Sequence, residues 1–259
     1  MTSVADAIRA ALLTGEAREK VMRARATARA WRRGELAWRF DIEMPERPAW
    51  PAALELLPPS RMPKRGTGGS DHKTVALWHS IAHIEFVAID LALDMAGRFG
   101  ERMGHEFVGD FLSVAADEAM HFALVDRKLR SLESRYGALP VHGGLWEAAE
   151  NTQHDVAARL AVVPMVLEAR ALDVTPGTRD RVRRQGDEAG ARILQRILDD
   201  EVRHVALGAK HFRNLSEKLH RAPETYWKAL IRAHFRGQLK PPFNDSARLA
   251  AGLSREYYA

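Results

Sequence analysis

The sequence predicts an all-α protein built around a four-helix bundle, on three observations. No stretch of useful length alternates apolar and polar residues as a half-buried strand does. From about Asp71 to Arg213 the apolar residues recur with helical spacing, interrupted by turn-forming residues at Gly97 to Gly104, Tyr136 to Gly144 and Val174 to Thr178, which leaves four long helices. Two of those helices carry a Glu-x-x-His pair, and each pair is preceded at the same distance by another glutamate.

The elements follow in chain order. Ser3 to Trp38 is rich in Ala, Leu and Arg and reads as one helix, with Arg18, Arg25, Arg29 and Arg32 on one side. Pro45 to Gly69 contains too many prolines and glycines for a long helix. It is expected to wrap the surface as an extended arm that buries Trp50, Leu54, Leu56 and Leu57. Ser70 and Thr178 are suitable N-caps for the first and last bundle helices. Ser216 to Phe235 predicts a shorter fifth helix, and GQLKPPFNDSARLAAGLSREYYA an irregular arm with a short helical piece. The expected organisation is an N-terminal helix and arm over 1–70, the bundle over 71–213, and a C-terminal helix and tail over 214–259.

The 259 residues, 46% hydrophobic, suffice for a sizeable core. The absence of cysteine excludes disulfides, thiolate catalysis, iron–sulfur clusters and a rubredoxin-type module, so reducing electrons would come from an external donor. The first twenty residues lack a basic segment followed by an apolar run, and no uninterrupted run of about 18 apolar residues occurs. A cytoplasmic location without a membrane partner is the expectation. The formal charge of +5 permits an anionic partner such as RNA, while the arginine face of the first helix reads as solvated or as a surface for RNA or an acidic partner.

The chemistry lies in two motifs, Asp117-Glu118-Ala119-Met120-His121 and Asp200-Glu201-Val202-Arg203-His204. Residues three apart on a helix are neighbours across one turn, so each Glu and His share a face. One such pair carries little weight, because this composition produces roughly one by chance. A third pair, Glu217 and His220, sits among Arg213, Asn214, Lys218 and Arg221 and reads as solvated.

The first two pairs differ in setting. Phe111, Val114, Ala115, Phe122 and Val125 surround the first pair, and Leu194, Ile197, Leu198 and Val205 the second, so both lie on apolar stripes. Glu118 follows Glu85 by 33 positions, and Glu201 follows Glu168 by the same 33, as in a two-fold repeat. Glu217 fails this comparison because Arg184 occupies the matching position. An uncompensated ionised carboxylate on a buried stripe costs several kcal/mol. Four carboxylates carry −4, two divalent cations neutralise them, and the sequence therefore predicts a dinuclear site of Glu85, Glu118, His121, Glu168, Glu201 and His204. Mixed carboxylate and imidazole donors suit iron or manganese and are compatible with zinc.

Asp117 and Asp200 stand four residues before the histidines, where a carboxylate can accept the outer imidazole N–H and fix the tautomer. The alternative for each is an ordinary polar contact. His79 and His83 are about 240° and 200° around the helix from Glu85 and do not share its face. Pro164, four residues before Glu168, is expected to kink or loosen its helix, the alternatives being placement at a helix end or simple packing.

The paired motifs resemble the ferritin-like superfamily, whose di-iron and di-manganese members use a Glu from each of two helices and a Glu-x-x-His from each of the others. This resemblance covers about Asp71 to Arg213. Asp200-Glu201-Val202-Arg203-His204 is similar to the Asp-Glu-x-Arg-His signature of di-iron carboxylate oxidases, although Met120 replaces the Arg in the first copy. PPSRMPKRG at 58 to 66 and KPPFNDSARLAAG at 240 to 252 resemble a bacterial ferritin-like family catalogued as a domain of unknown function (DUF455-like). What the resemblance implies is a two-iron oxidoreductase that activates dioxygen or a peroxide, a hydroxylase of an organic substrate, with a small molecule or a modified nucleoside imaginable. The alternatives are a ferroxidase or other iron-handling protein and a non-enzymatic metal-binding structural protein, in a monomer or a dimer.

Overall fold

A computed structural model of the chain describes residues 1–62 and 71–259. The protein is all-α: among the described residues, extended pairing is confined to two isolated bridges, Ser3 with Ala37 and Leu56 with Val141. The chain divides into two compact units, Met1–Trp146 and Glu147–Ala259. Each contains one pair of long packed helices, which is the helix set a four-helix bundle requires.

The first unit contains α1 (Val4–Leu12), α2 (Ala17–Arg32), α3 (Asp71–Met103) and α4 (His105–Ser131). The single helix expected over Ser3 to Trp38 is in fact two. Ser3 Oγ caps α1 by accepting from Asp6 N at 2.9 Å, and the Glu16 carboxylate caps α2 by accepting from Arg18 N and Glu19 N at 3.1 and 2.6 Å. A carboxylate at this position satisfies orphan N–H groups and suits the positive end of the helix dipole, so it starts a second helix after Gly15.

The expected interruption at Gly97 to Gly104 narrows to Gly104. α3 continues through Gly97 and Gly100, where an added Cβ would run into Met44 and Ile8 or into Val108 and Phe40. Those glycines serve close packing, whereas Gly104, at φ +97°, makes the one-residue turn into α4. α3 has the length and apolar content of a membrane span, yet 67% of its most apolar window is buried in the protein, as befits a core helix. The Ser70 cap lies outside the described residues.

Residues 45–62 form the expected extended arm, ending in a short 3-10 turn at Pro59–Arg61. Backbone bonds pin it to a later loop: Leu57 N donates to Val141 O at 2.8 Å, and Val141 N to Glu55 O at 2.9 Å. Trp50, Leu54 and Leu57 are half-buried, but Leu56 is 52% exposed, contrary to expectation. Its backbone pairs while its side chain faces out.

A short helix, α5 (Gly144–Glu150), runs across the division. The second unit then contains α6 (Val156–Val162), a π-helical segment at Val163–Glu168, α7 (Ala169–Arg184), α8 (Glu188–Lys218), α9 (Pro223–His234), α10 (Asp245–Ala250) and α11 (Arg255–Tyr258). The irregularity expected at Pro164 is this π segment. A proline removes one backbone donor and clashes with the carbonyl four residues back, and widening the turn relieves both.

The break expected at Val174 to Thr178 does not occur. α7 runs through Pro176 and Gly177 to Arg184, and Thr178 is no N-cap, since its hydroxyl donates to Val174 O at 3.0 Å inside the helix. The cost of Pro176 is met from the tail. Pro176 lacks the N–H that would bond the Leu172 carbonyl, and Asn244 Nδ2 donates to that carbonyl at 3.1 Å instead. The real turn is Gln185 to Asp187, with Gly186 at φ +85° and Asp187 accepting from Gly190 N at 2.8 Å as the cap of α8. The fifth helix starts later than predicted, at Pro223. Arg248 locks the tail to α7 through Nε and Nη2 bonds to the Asp173 carboxylate at 2.8 and 2.7 Å.

Candidate metal centre

In the first unit, Glu85 projects from α3 and Glu118 and His121 from α4. Each is flanked by residues that belong in the core, including Phe86, Ile89, Ala115 and Phe122, and burial of those neighbours carries the donors inward: Glu85, Glu118 and His121 are 4%, 1% and 0% exposed. His121 Nδ1 lies 3.2 Å from Glu85 Oε2 and 3.3 Å from Glu118 Oε2. The three residues each offer a donor atom within 4.8 Å of the others'.

This arrangement is electrostatically expensive without a cation. Burial, with the Glu118 charge beside it, outweighs the help from His121 and pushes the Glu85 carboxyl up to about 7. Glu85 Oε2 also accepts no hydrogen bond with proper geometry from any described residue. A divalent cation among these oxygens and Nδ1 would remove the repulsion and occupy the unused lone pairs. The donor set fits iron, manganese or zinc.

The second unit repeats the pattern on different local backbone. Glu201 and His204 stand on one face of α8, 5% and 0% exposed, with His204 Nδ1 3.8 Å from Glu201 Oε2. In both pairs the imidazole therefore turns Nδ1 toward its own helix's glutamate. Glu168 is the last residue of the π segment and is half-buried. Gly208, one turn beyond His204, faces that segment: a Cβ there would collide with the Pro164 ring. Asp200 is half-buried and accepts from Arg196 Nε at 2.7 Å, and Asp117 is half-buried on α4.

The other histidines near Glu85 have different tasks. His79 Nε2 accepts from Gly137 N at 2.9 Å and Leu139 N at 3.3 Å, which organises the loop after α4. His83 Nε2 meets His142 O at 3.1 Å and must donate there, so its Nδ1, 2.8 Å from Tyr136 Oη, accepts the phenol proton. Burial holds both imidazoles neutral, with pKa values lowered to about 4. Glu217 and His220 are exposed, as expected.

The sequence reading missed a buried ion pair. Lys20 and Asp90 are both fully buried; Lys20 Nζ is 2.5 Å from Asp90 Oδ1 and donates also to Ala49 O at 2.8 Å, while Trp50 Nε1 donates to Asp90 Oδ2 at 2.9 Å. The signal was available, because Lys20 falls on the face of α2 formed by Ala24, Thr27 and Ala28. The network ties α2 and the arm to α3.

Comparison with known proteins extends the relationship over most of the chain without supplying an activity. An uncharacterized protein of Haemophilus influenzae (strain ATCC 51907 / DSM 11121 / KW20 / Rd) is 39% identical over 213 residues, covering 80% of this chain and 74% of the relative. No solved structure matches the chain. Residues 13–259 match the family described as protein of unknown function (DUF455), and to that family the chain belongs.

Proposed function

We propose that this chain is a ferritin-like di-iron oxidoreductase, in which Glu85, Glu118, His121, Glu168, Glu201 and His204 hold two iron ions and serve the hydroxylation of an organic substrate. The observation that carries the reading is the buried triad of Glu85, Glu118 and His121, two carboxylates against one imidazole, in a chain that repeats its spacing in a second Glu and Glu-x-x-His set. Glu201 and His204 form the matching buried pair of the second unit, 5% and 0% exposed. The all-α fold and the two long helix pairs agree with this reading.

Bound iron would supply redox chemistry toward dioxygen or a peroxide. The chain's own residues bind and insulate. Four carboxylates balance two divalent charges, and the Nδ1 of each histidine is turned toward its glutamate, where it can ligate and leave Nε2–H for an outer acceptor such as Asp117 or Asp200. Phe86 and Phe122, buried next in sequence to Glu85 and His121 and packed at 5.3 Å between centroids with their rings tilted by 55°, help exclude water from the donors. With no cysteine in the chain, electrons arrive from an external donor.

The test is metal analysis of protein purified without chelator, then anaerobic loading with ferrous iron and measurement of oxygen consumption. About two equivalents of iron and oxygen uptake that requires a reductant are expected. Protein that refuses metal, or that holds only zinc and consumes no oxygen after ferrous loading, overturns the proposal. Oxygen uptake that ends in accumulated ferric oxide points to iron handling instead.

A further inference from the structure

α2 carries a basic stripe that packing leaves exposed. Arg18, Arg25, Arg29 and Arg32 are all exposed. At 100° per residue they fall within about 60° of one another and extend over about 20 Å of helix. From Lys20 to Gly34 the chain contains no acidic residue. Arg23 is bound to Glu19 at 2.8 Å and Arg33 lies 3.8 Å from Glu35, whereas the four stripe arginines make no ion pair with a described residue. The helix dipole accounts for cations in the last turn, Arg29 and Arg32, but not for Arg18 and Arg25.

Where the helix ends, planar rings gather. His105 stacks on Trp31 at 4.8 Å and 29° and on Trp38 at 4.2 Å and 18°, and Phe40 meets Trp38 edge-on at 4.9 Å. Trp38 remains 39% exposed and His105 is exposed too. Stacked rings left open to water offer a π-face to a further ring.

We propose that this face binds single-stranded nucleic acid, with the α2 arginines holding successive phosphates and the Trp38–His105 stack receiving an unpaired base. Phosphate neutralisation and base stacking are the two terms on which such binding rests, and both kinds of group are present here. An acidic protein segment would answer the charge and leave the rings unused. A membrane would require several protruding apolar side chains, and the stripe has only Met22, 59% exposed. The proposal is independent of the metal centre, because none of these residues is among the six donors.

The experiment is fluorescence anisotropy of the full chain with a labelled twelve-residue oligouridylate, over a series of salt concentrations. Four phosphate contacts give a slope of log K against log salt near −3 for a single strand, and the Arg25→Ala/Arg29→Ala/Arg32→Ala protein should flatten it by about two. Trp38→Ala should weaken binding about tenfold while leaving the slope unchanged, and Trp38→Phe should restore most of the loss; circular dichroism and unaltered metal content report the fold of each variant. Heparin and phosphatidylglycerol vesicles serve as polyanions without bases. Failure to bind the oligonucleotide, binding indifferent to Trp38→Ala and equalled by heparin, or stronger binding to the vesicles would each overturn the proposal.

Discussion

The two Glu and Glu-x-x-His sets share one spacing in sequence but not one backbone. In the first unit, Glu85 sits within the unbroken helix α3, is almost fully buried, and meets His121 at 3.2 Å. In the second, Glu168 is half-buried and ends a π-helical segment distorted at Pro164, whose ring packs where Gly208 lacks a side chain. An equal sequence offset fixes which residue types recur and on which helices. It leaves open how firmly each is held. The first set is preformed, and the second retains a carboxylate on irregular backbone, where π segments commonly mark functional sites.

The largest test of this contrast removes donors one at a time. Glu118→Ala should abolish binding of both metals, because it takes a buried donor from the preformed triad and leaves Glu85 and His121 without their partner. Glu168→Ala, at the half-buried position, should retain about one equivalent. Metal content measured by mass spectrometry decides the matter, and equal losses in the two variants would break the distinction.

The Lys20–Asp90 pair sharpens the comparison from the stability side, since it braces α3 five residues beyond Glu85. Lys20→Met leaves Asp90 buried beside Trp50 with no cation, and truncating one partner of a buried ion pair costs about 3–5 kcal/mol. Urea denaturation should show that loss. The double variant Lys20→Met/Asp90→Leu should recover much of it, because no buried charge then remains.

Much of this was legible from residue order, and the rest failed for physical reasons. The all-α fold, the positions of both Glu-x-x-His pairs on buried stripes, and the irregularity at Pro164 follow from helical periodicity and proline chemistry alone. The turn between α7 and α8 did not. Pro176 and Gly177 look like a break, and only a side chain 68 residues later in the chain, Asn244, shows why the helix survives. Gly97 and Gly100 misled in the opposite sense, since glycine serves close packing as readily as turning. Lys20 was overlooked because a lysine on an apolar face is read as reaching to solvent unless its acidic partner, here 70 positions away, is known.

The pH dependence of the metal-free protein tests the preformed state of the first set. The Glu85 carboxyl is raised to about 7 from an ordinary 4.5 by burial and by Glu118. Between those values the folded state keeps a proton that the unfolded chain has released, so stability falls as pH rises through this window. The limiting slope for one proton is about 1.4 kcal/mol per pH unit. Denaturation at pH 5, 6 and 7 should show the decline, Glu85→Gln should flatten it, and divalent metal should suppress it.

The smallest expected effect tests the second set through its backbone. Gly208→Ala adds a methyl where the Pro164 ring already stands, and the ring belongs to the segment that carries Glu168. Overpacking of this kind costs about 1–3 kcal/mol as the segment shifts to make room. The two halves of the proposed centre should respond differently. Because the displacement reaches Glu168 and not the triad, the variant should weaken the second equivalent of iron while leaving the first unchanged. A ferrous titration followed by competition with a chelator separates the two affinities. A variant that loses stability but binds both ions as tightly as the native protein would show that Glu168 does not depend on the π segment for its position.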